Sequence, residues 1–296
     1  MLTRKEFVRK IVLGSAVAPL LLQLGCSSDP PKTAAATAGS PNGGPPPGGP
    51  GGPPPGGGPP PGGPGGPPPG GPGGPPPPRH HAGKPGPTAT AADGTACYST
   101  PDLEEGPFPY DLSGKGAMLR RNITEQRPGL PFQFTFTLVD TKNGCAAIPN
   151  ARVDVWHCDA DGYYSEFNER GYLGNRDLTN QTFCRGIQRT DAHGQVTFES
   201  IYPGWYEGRI THIHFEVFVG QKKLLISQVA FPDAINAAVY ARAPYNKHGK
   251  NTSIASNAAD HVFNESPTVL AHALFNIVPH AATGGYAGTY TIGLPV

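Results

Sequence analysis

The run RITHIHFEV (209–217) sets His212 and His214 two residues apart in a stretch that otherwise alternates in polarity. Successive side chains of a strand point to opposite faces, so residues i and i+2 share one. The two imidazoles therefore project side by side, on the face that Ile213 and Phe215 avoid. Such a pair can chelate a metal ion, or it can be two stacked core histidines satisfied by hydrogen bonds. Just upstream, YPGWYEG places Tyr206 beyond a Pro-Gly turn, where a side chain can turn back toward the strand. Further back, WHCDADGYYSEF carries Tyr163 and Tyr164 at a strand end, after another glycine turn. Two phenolates and two imidazoles would make an anionic, hard-oxygen site. Phenol titrates near pH 10, so a strongly Lewis-acidic ion must depress it for tyrosinate to exist at neutral pH. Ferric iron suits that set; zinc and calcium suit it poorly.

The elements that must position these groups are strands. FQFTFTLVD (132–140), ARVDVWHCD (151–159), GQVTFESI (194–201), ITHIHFEVFV (210–219), KLLISQVAF (223–231) and GTYTIGL (288–294) alternate or read as short apolar runs. Turn signals (TKNG, DADG, DAHG, YPG, VGQ) separate them. This pattern predicts an all-β fold, an antiparallel β-sandwich with little helix, over residues 95–296. PDAINAAVYAR (232–242) is expected as one short helix, and SPTVLAHALF (266–275) is ambiguous.

Several longer stretches resemble the intradiol ring-cleavage dioxygenases. They are STPDLEEGPFPYD, VDVWHCDADGYYS, TFCRGIQRTDAHGQVTFESIYPGWYEGRITHIHFEV and LISQVAFPD, in that order across most of residues 97–245. The chain looks most like the secreted, single-domain branch, with no helical arm before the sandwich. The resemblance implies a mononuclear non-haem Fe(III) held by Tyr164, Tyr206, His212 and His214. It implies Tyr164 and His214 as the ligands that stay bound, and Tyr206 and His212 as axial ligands. Arg209 and Gln228 would stabilise charge on the ring and its oxygens, with Tyr206 taking a proton from the incoming diol. The substrates would be a catechol-type diol and O2, and the products muconate-type diacids. Only five residues separate Tyr206 from His212, which predicts an open pocket for bulkier diols. The other expectation, from a different class, is a metal-retaining, non-catalytic binding module of the same shape. Tyr163, Trp156 and Trp205 are expected to pack. His157 is expected opposite Trp156, near the metal site or at the surface; His80 and His81 are expected to be inert, and His193 to sit in a turn.

Ahead of this domain the composition changes twice. Arg4, Lys5, Arg9 and Lys10 precede a short apolar stretch, Ile11 to Leu24, and LQLGC ends it at Cys26. The apolar part falls short of the about 20 residues a spanning helix needs. Residues 1–26 resemble a bacterial lipoprotein signal, with Cys26 as the lipidated anchor; TRKEFV also resembles a twin-arginine motif with Lys5 in place of one arginine. Sec secretion with simple cleavage is the other reading. All of them predict export, and lipidation would hold the chain at the cell envelope. Residues 27–94 read as a disordered tether, because every residue from Pro41 to Pro78 except Asn42 is Gly or Pro, without a collagen period. A net charge of +1 gives no reason to expect nucleic-acid binding. In an oxidising compartment the remaining four cysteines are expected to pair as Cys97–Cys145 and Cys158–Cys184, the latter flanking one excursion between strand-like runs.

Overall fold

The computed structural model describes residues 89–91, 94–112 and 114–296. The expected export signal with Cys26, and the expected tether with His80 and His81 apart from its last few residues, lie outside them. A small antiparallel pair, β1 (Ala89–Thr90) with β2 (Ala96–Cys97), carries ordered pairing back before the Thr95 boundary expected from sequence. Next come β3 (Pro131–Asp140), β4 (Ala146–Ala147), β5 (Arg152–Trp156), β6 (Asn168–Gly171), β7 (Gly174–Asp177) and β8 (Arg185–Arg189). β9 (Gln195–Ile201), β10 (His212–Val219), β11 (Lys222–Ala230), helices α1 (Asp233–Tyr240) and α2 (Pro267–Ala271), β12 (Asn276–His280) and β13 (Gly285–Leu294) complete the order.

Two sheets form the sandwich. One runs β11-β10-β5-β8, antiparallel throughout; the other runs β12-β13-β3-β4, with β9 also on β3. β13 lies parallel to β3, so the second sheet is mixed rather than wholly antiparallel as predicted. β3 already holds β9 and β4 antiparallel, and β13 enters after the long helical excursion, which supplies the crossover a parallel pair requires.

The inner faces meet through Phe134, Phe136 and Phe198 on one side and Val155, Ile213 and Phe215 on the other. Phe136 and Phe215 have ring centroids 5.2 Å apart. Each such side chain contributes about 1.5–3 kcal/mol relative to exposure. A one-residue slip of β10 would exchange Ile213 and Phe215 for His212 and His214, so this core fixes the histidines to the outer face.

The short helix over 232–242 forms as α1. Of the ambiguous 266–275 stretch only α2 is helical, started by Ser266 Oγ, which accepts from Val269 N–H at 3.1 Å. The β6–β7 hairpin, β8 and β12 were not expected. NERG, GNRD and NIVPH are largely exposed, so no apolar alternation marks them.

The disulfide between Cys97 and Cys145 forms, with Cα atoms 6.0 Å apart. The Cys158–Cys184 expectation is corrected: both are buried free thiols. Trp156 pairs with Arg185, and His157 N–H donates to Cys184 O at 3.1 Å, so Cys184 sits opposite His157. Cys158 is one residue out of step and faces the other side of the sheet. It packs with Trp156 and Tyr164, whereas Cys184 belongs to the inter-sheet core.

Candidate metal centre

On the outer face of the first sheet, His214 lies between Trp156 of β5 and Gln228 of β11 in one cross-strand row. The tyrosines arrive on the loops 157–165 and 202–208, which press backbone to backbone. A Cβ on Gly162 (φ +87°) would stand 2.1 Å from the Trp205 carbonyl oxygen, and one on Gly204 would stand 2.6 Å from that of Ala160. Glycine is the residue that permits both approaches. Asp159 fastens the loops: its carboxylate accepts from the backbone N–H of Asp161 (2.9 Å) and Tyr163 (3.1 Å), and its carbonyl accepts from Gly204 N–H at 3.0 Å. Tyr164 and Tyr206 are thereby brought to 5.6 Å between ring centroids.

The four expected ligands converge. His212 Nε2 is 3.0 Å from His214 Nε2 and 3.3 Å from Tyr206 Oη. His212 Nδ1–H donates to Ile210 O at 2.6 Å, which leaves the Nε2 lone pair for the centre. Tyr164 is fully buried, and among the described residues its Oη has no hydrogen-bond partner. The Tyr164 and His214 rings are 6.1 Å apart. Burial holds both imidazoles well below their ordinary pKa, with the Arg209 charge adding to the effect, so both are neutral. Desolvation pushes the Tyr206 phenol up to about 12 against the lowering influence of Arg209, and pushes Tyr164 well up. Two neutral imidazoles, a phenol with no partner and a second phenol at one point fit a strongly Lewis-acidic trivalent cation, the ion that would reverse those phenol shifts. Among the described residues no three His, Cys, Asp or Glu side chains gather as a metal site, so the phenols define this donor set.

Arg209 is buried at the rim of this cluster. Its Nε donates to both oxygens of Asp260 (2.9 and 3.2 Å), its Nη2 to Gln228 Oε1 (2.5 Å), and its Nη1 faces Tyr206 Oη at 3.5 Å. Gln228 Nε2 donates in turn to Glu104 O at 2.7 Å. Both ends of the Gln228 amide are thus engaged, and it aims Arg209 at the site. Asp260, fully buried, also accepts from Ile210 and Val262 N–H, each at 2.9 Å.

Aromatic and glycine residues close the walls. Trp156 stacks on His214 at 5.0 Å and 4°, and Phe108 stacks on Tyr164 at 4.4 Å. Gly106 (φ +78°) lies on His214, where a Cβ would come within 2.7 Å of Cε1. Arg185 ties the Phe108 carbonyl to Ser165. Glu169 accepts from Tyr164 N–H at 2.8 Å, and burial raises its carboxyl to about 7.

The other sequence expectations divide. Tyr163 packs, donating to Gly174 O at 2.7 Å, and Trp205 is buried. His157 does lie opposite Trp156 and is not at the surface; its charge would lower the pKa of both His212 and His214, so it stands within electrostatic reach of the cluster. It is fully buried between Cys158 O and Ser200 Oγ, each 2.8 Å away. Asp260, Arg185, Phe108 and Glu169 were not singled out. Phe108 and Arg185 fall within the stretches that carry the resemblance, whereas Asp260 and Glu169 sit in segments without periodicity and had no local signal.

A family model described as Dioxygenase matches residues 105–278, which contain all six expected site residues and Asp260. A chlorocatechol 1,2-dioxygenase of Rhodococcus opacus is 30% identical over 150 residues, 43% of this chain and 54% of that one. A hydroxyquinol 1,2-dioxygenase of Corynebacterium glutamicum is 27% identical over 112 residues, 31% of this chain and 33% of that one. The chain therefore spans about half or less of the length of the curated relatives it matches. The solved structure of an intradiol ring-cleavage dioxygenase from Tetranychus urticae superposes with a TM-score of 0.59 at 28% identity, over 68% of this chain and 96% of that one. With more than half of its length matched by that model, and with this sandwich and this donor cluster, the chain belongs to the intradiol ring-cleavage dioxygenase family.

Proposed function

We propose that this protein is an Fe(III)-dependent intradiol dioxygenase that opens catechol-type aromatic diols with O2 between the two hydroxylated carbons, giving muconate-type diacids. The observation that carries the reading is the convergence of His212 Nε2, His214 Nε2 and Tyr206 Oη beside the buried, unpartnered Tyr164 Oη. Tyr164, Tyr206, His212 and His214 would hold the iron. Bound there, ferric iron would acidify the phenols and the diol and draw electron density from the ring, so that the ring can react with O2. Tyr206 is the half-buried phenol of the pair, edge-on to Phe108, and its oxygen is the group to receive one proton of an entering diol. Arg209 Nη1 faces that same oxygen and stabilises negative charge as it develops there. Gln228 and Asp260 act through Arg209 by fixing its guanidinium. Phe108 and Trp156 exclude water from the ligands, which strengthens each of these electrostatic contacts.

The reading extends to location. The basic segment, short apolar stretch and LQLGC box support export, with a lipid at Cys26 holding the domain at the bacterial envelope. A Cys26→Ala variant is expected to leave the membrane fraction for the soluble one.

The test is a visible absorption spectrum of the purified protein with its iron quantified, catechol added without oxygen, and oxygen then admitted. A tyrosinate charge-transfer band that shifts with catechol, followed by ring opening, is the expected result. A protein colourless after ferric reconstitution overturns the iron reading. A band that shifts without turnover leaves the metal-retaining binding module.

A further inference from the structure

Two arginines are buried among the described residues, and they are satisfied in different ways. Arg209, 4% exposed, pairs with the buried carboxylate of Asp260. Arg185 is buried further, at 1%, and among the described residues it forms no ion pair. Its hydrogen bonds all end on neutral oxygens: Nε donates to Ser165 Oγ (3.0 Å), Nη2 to Ser165 O (3.0 Å) and Nη1 to Phe108 O (3.1 Å). The Ser165 hydroxyl gives its own proton to Phe183 O at 2.7 Å, so it offers Arg185 only a lone pair. Glu166 and Glu169 act on the guanidinium without touching it. Burial lowers its pKa to about 10, which leaves it charged at neutral pH. A buried charge without a counter-ion is costly, and a neutral amide would donate to the same oxygens without that cost.

The place of this charge gives a reason for keeping it. Arg185 pairs with Trp156, Trp156 with His214 and His214 with Gln228, so the four form one cross-strand row on the outer face. Arg185 is therefore two strand spacings from His214, roughly 10 Å. Its guanidinium carbon lies 5.9 Å from the centre of the Tyr164 ring, and Ser165, which it grips, follows Tyr164 in the chain. Its charge also reaches His214, adding to the burial that keeps that imidazole neutral. Tyr164 and His214 thus share the field of one uncompensated cation, whereas the charge of Arg209 is offset by Asp260. Phenolate ligands donate electron density strongly and so favour a metal ion's oxidised state. A positive charge beside the phenolate opposes that donation.

We propose that Arg185 is a positioning residue for the metal centre: it holds an uncompensated positive charge against Tyr164, so that this ligand donates less to the iron and more density is drawn from the bound diol. The proposal rests on the dioxygenase reading and adds to it a residue outside the donor set.

The test is a one-electron redox titration of the full-length, iron-loaded protein and its variants. Arg185→Gln keeps an amide donor for Ser165 and Phe108 but removes the charge. At roughly 10 Å and an effective dielectric of about 20, one charge is worth about a tenfold change in the Fe(III)/Fe(II) equilibrium. The midpoint is therefore expected to fall by about 59 mV in Arg185→Gln and to return toward the wild-type value in Arg185→Lys, which keeps the charge. Ser165→Asp leaves Arg185 in place and gives it a counter-ion, so it is expected to lower the midpoint as well. Ser165→Asn, which adds no charge, is expected to leave it. This second pair carries the test if Arg185→Gln does not fold. A midpoint unmoved by Arg185→Gln or Ser165→Asp, or an Arg185→Lys variant displaced as far as Arg185→Gln, overturns the proposal and leaves Arg185 a structural clamp. A protein that takes up no iron overturns the dioxygenase reading, and this inference falls with it.

Discussion

Asp260 gives the sharpest test of how the site is built. Its carboxylate is fully buried and receives Arg209 Nε together with the backbone N–H groups of Ile210 and Val262. Asp260→Ala removes the only acid that the structure pairs with Arg209 among the described residues and leaves a buried guanidinium. Breaking a buried ion pair from one side costs about 3–5 kcal/mol. At 2–4 °C per kcal/mol for a domain of this size, Tm should fall by roughly 6–20 °C. Arg209→Met combined with Asp260→Leu removes both charges and should recover at least half of that loss, since most of the cost is the uncompensated charge. Calorimetric scans of wild type, the single variant and the double variant measure all three quantities. A Tm drop below about 3 °C, or a double variant no more stable than the single one, would show that the pair does not hold Arg209 as argued.

Other outcomes follow from the same geometry. Gly106→Ala puts a Cβ against His214 in a left-handed backbone, and should cost about 1–3 kcal/mol and weaken iron retention, read by denaturation and metal analysis. Tyr164→Phe should abolish most of the charge-transfer band, whereas Tyr206→Phe should keep colour but slow anaerobic catechol binding in stopped flow; unchanged binding would remove Tyr206 from proton transfer. Peptide mapping after alkylation in denaturant should find Cys97 linked to Cys145 and both Cys158 and Cys184 alkylated. His157 is buried and neutral, with burial lowering its pKa to about 4. The unfolded chain therefore binds the extra proton between about pH 6.5 and 4, so stability is full above 6.5 and falls with acid, by about 3 kcal/mol from this group. Urea midpoints across that window should flatten in His157→Asn.

Much was legible without a structure. The period of two in RITHIHFEV put both histidines on one face, because the pleat makes that relation local. The same locality made β3, β9, β10, β11 and β13 readable, and the ordered set of motifs carried the family. What the sequence left open depends on register between distant segments. That Cys158 and Cys184 point to opposite sides of a sheet follows from Trp156 pairing with Arg185, a relation no spacing encodes. His157 finds its second hydrogen-bond partner in Ser200, 43 residues away in sequence, a meeting no local pattern announces. Asp260 reaches Arg209 across a separation of 51 residues, and Phe108 reaches Tyr164 from a segment that precedes every strand of the sandwich. Residue type and period determined which groups could bind and react. Burial, charge pairing and the walls of the site came only from the tertiary contacts, since desolvation is a property of the assembled surroundings rather than of a residue.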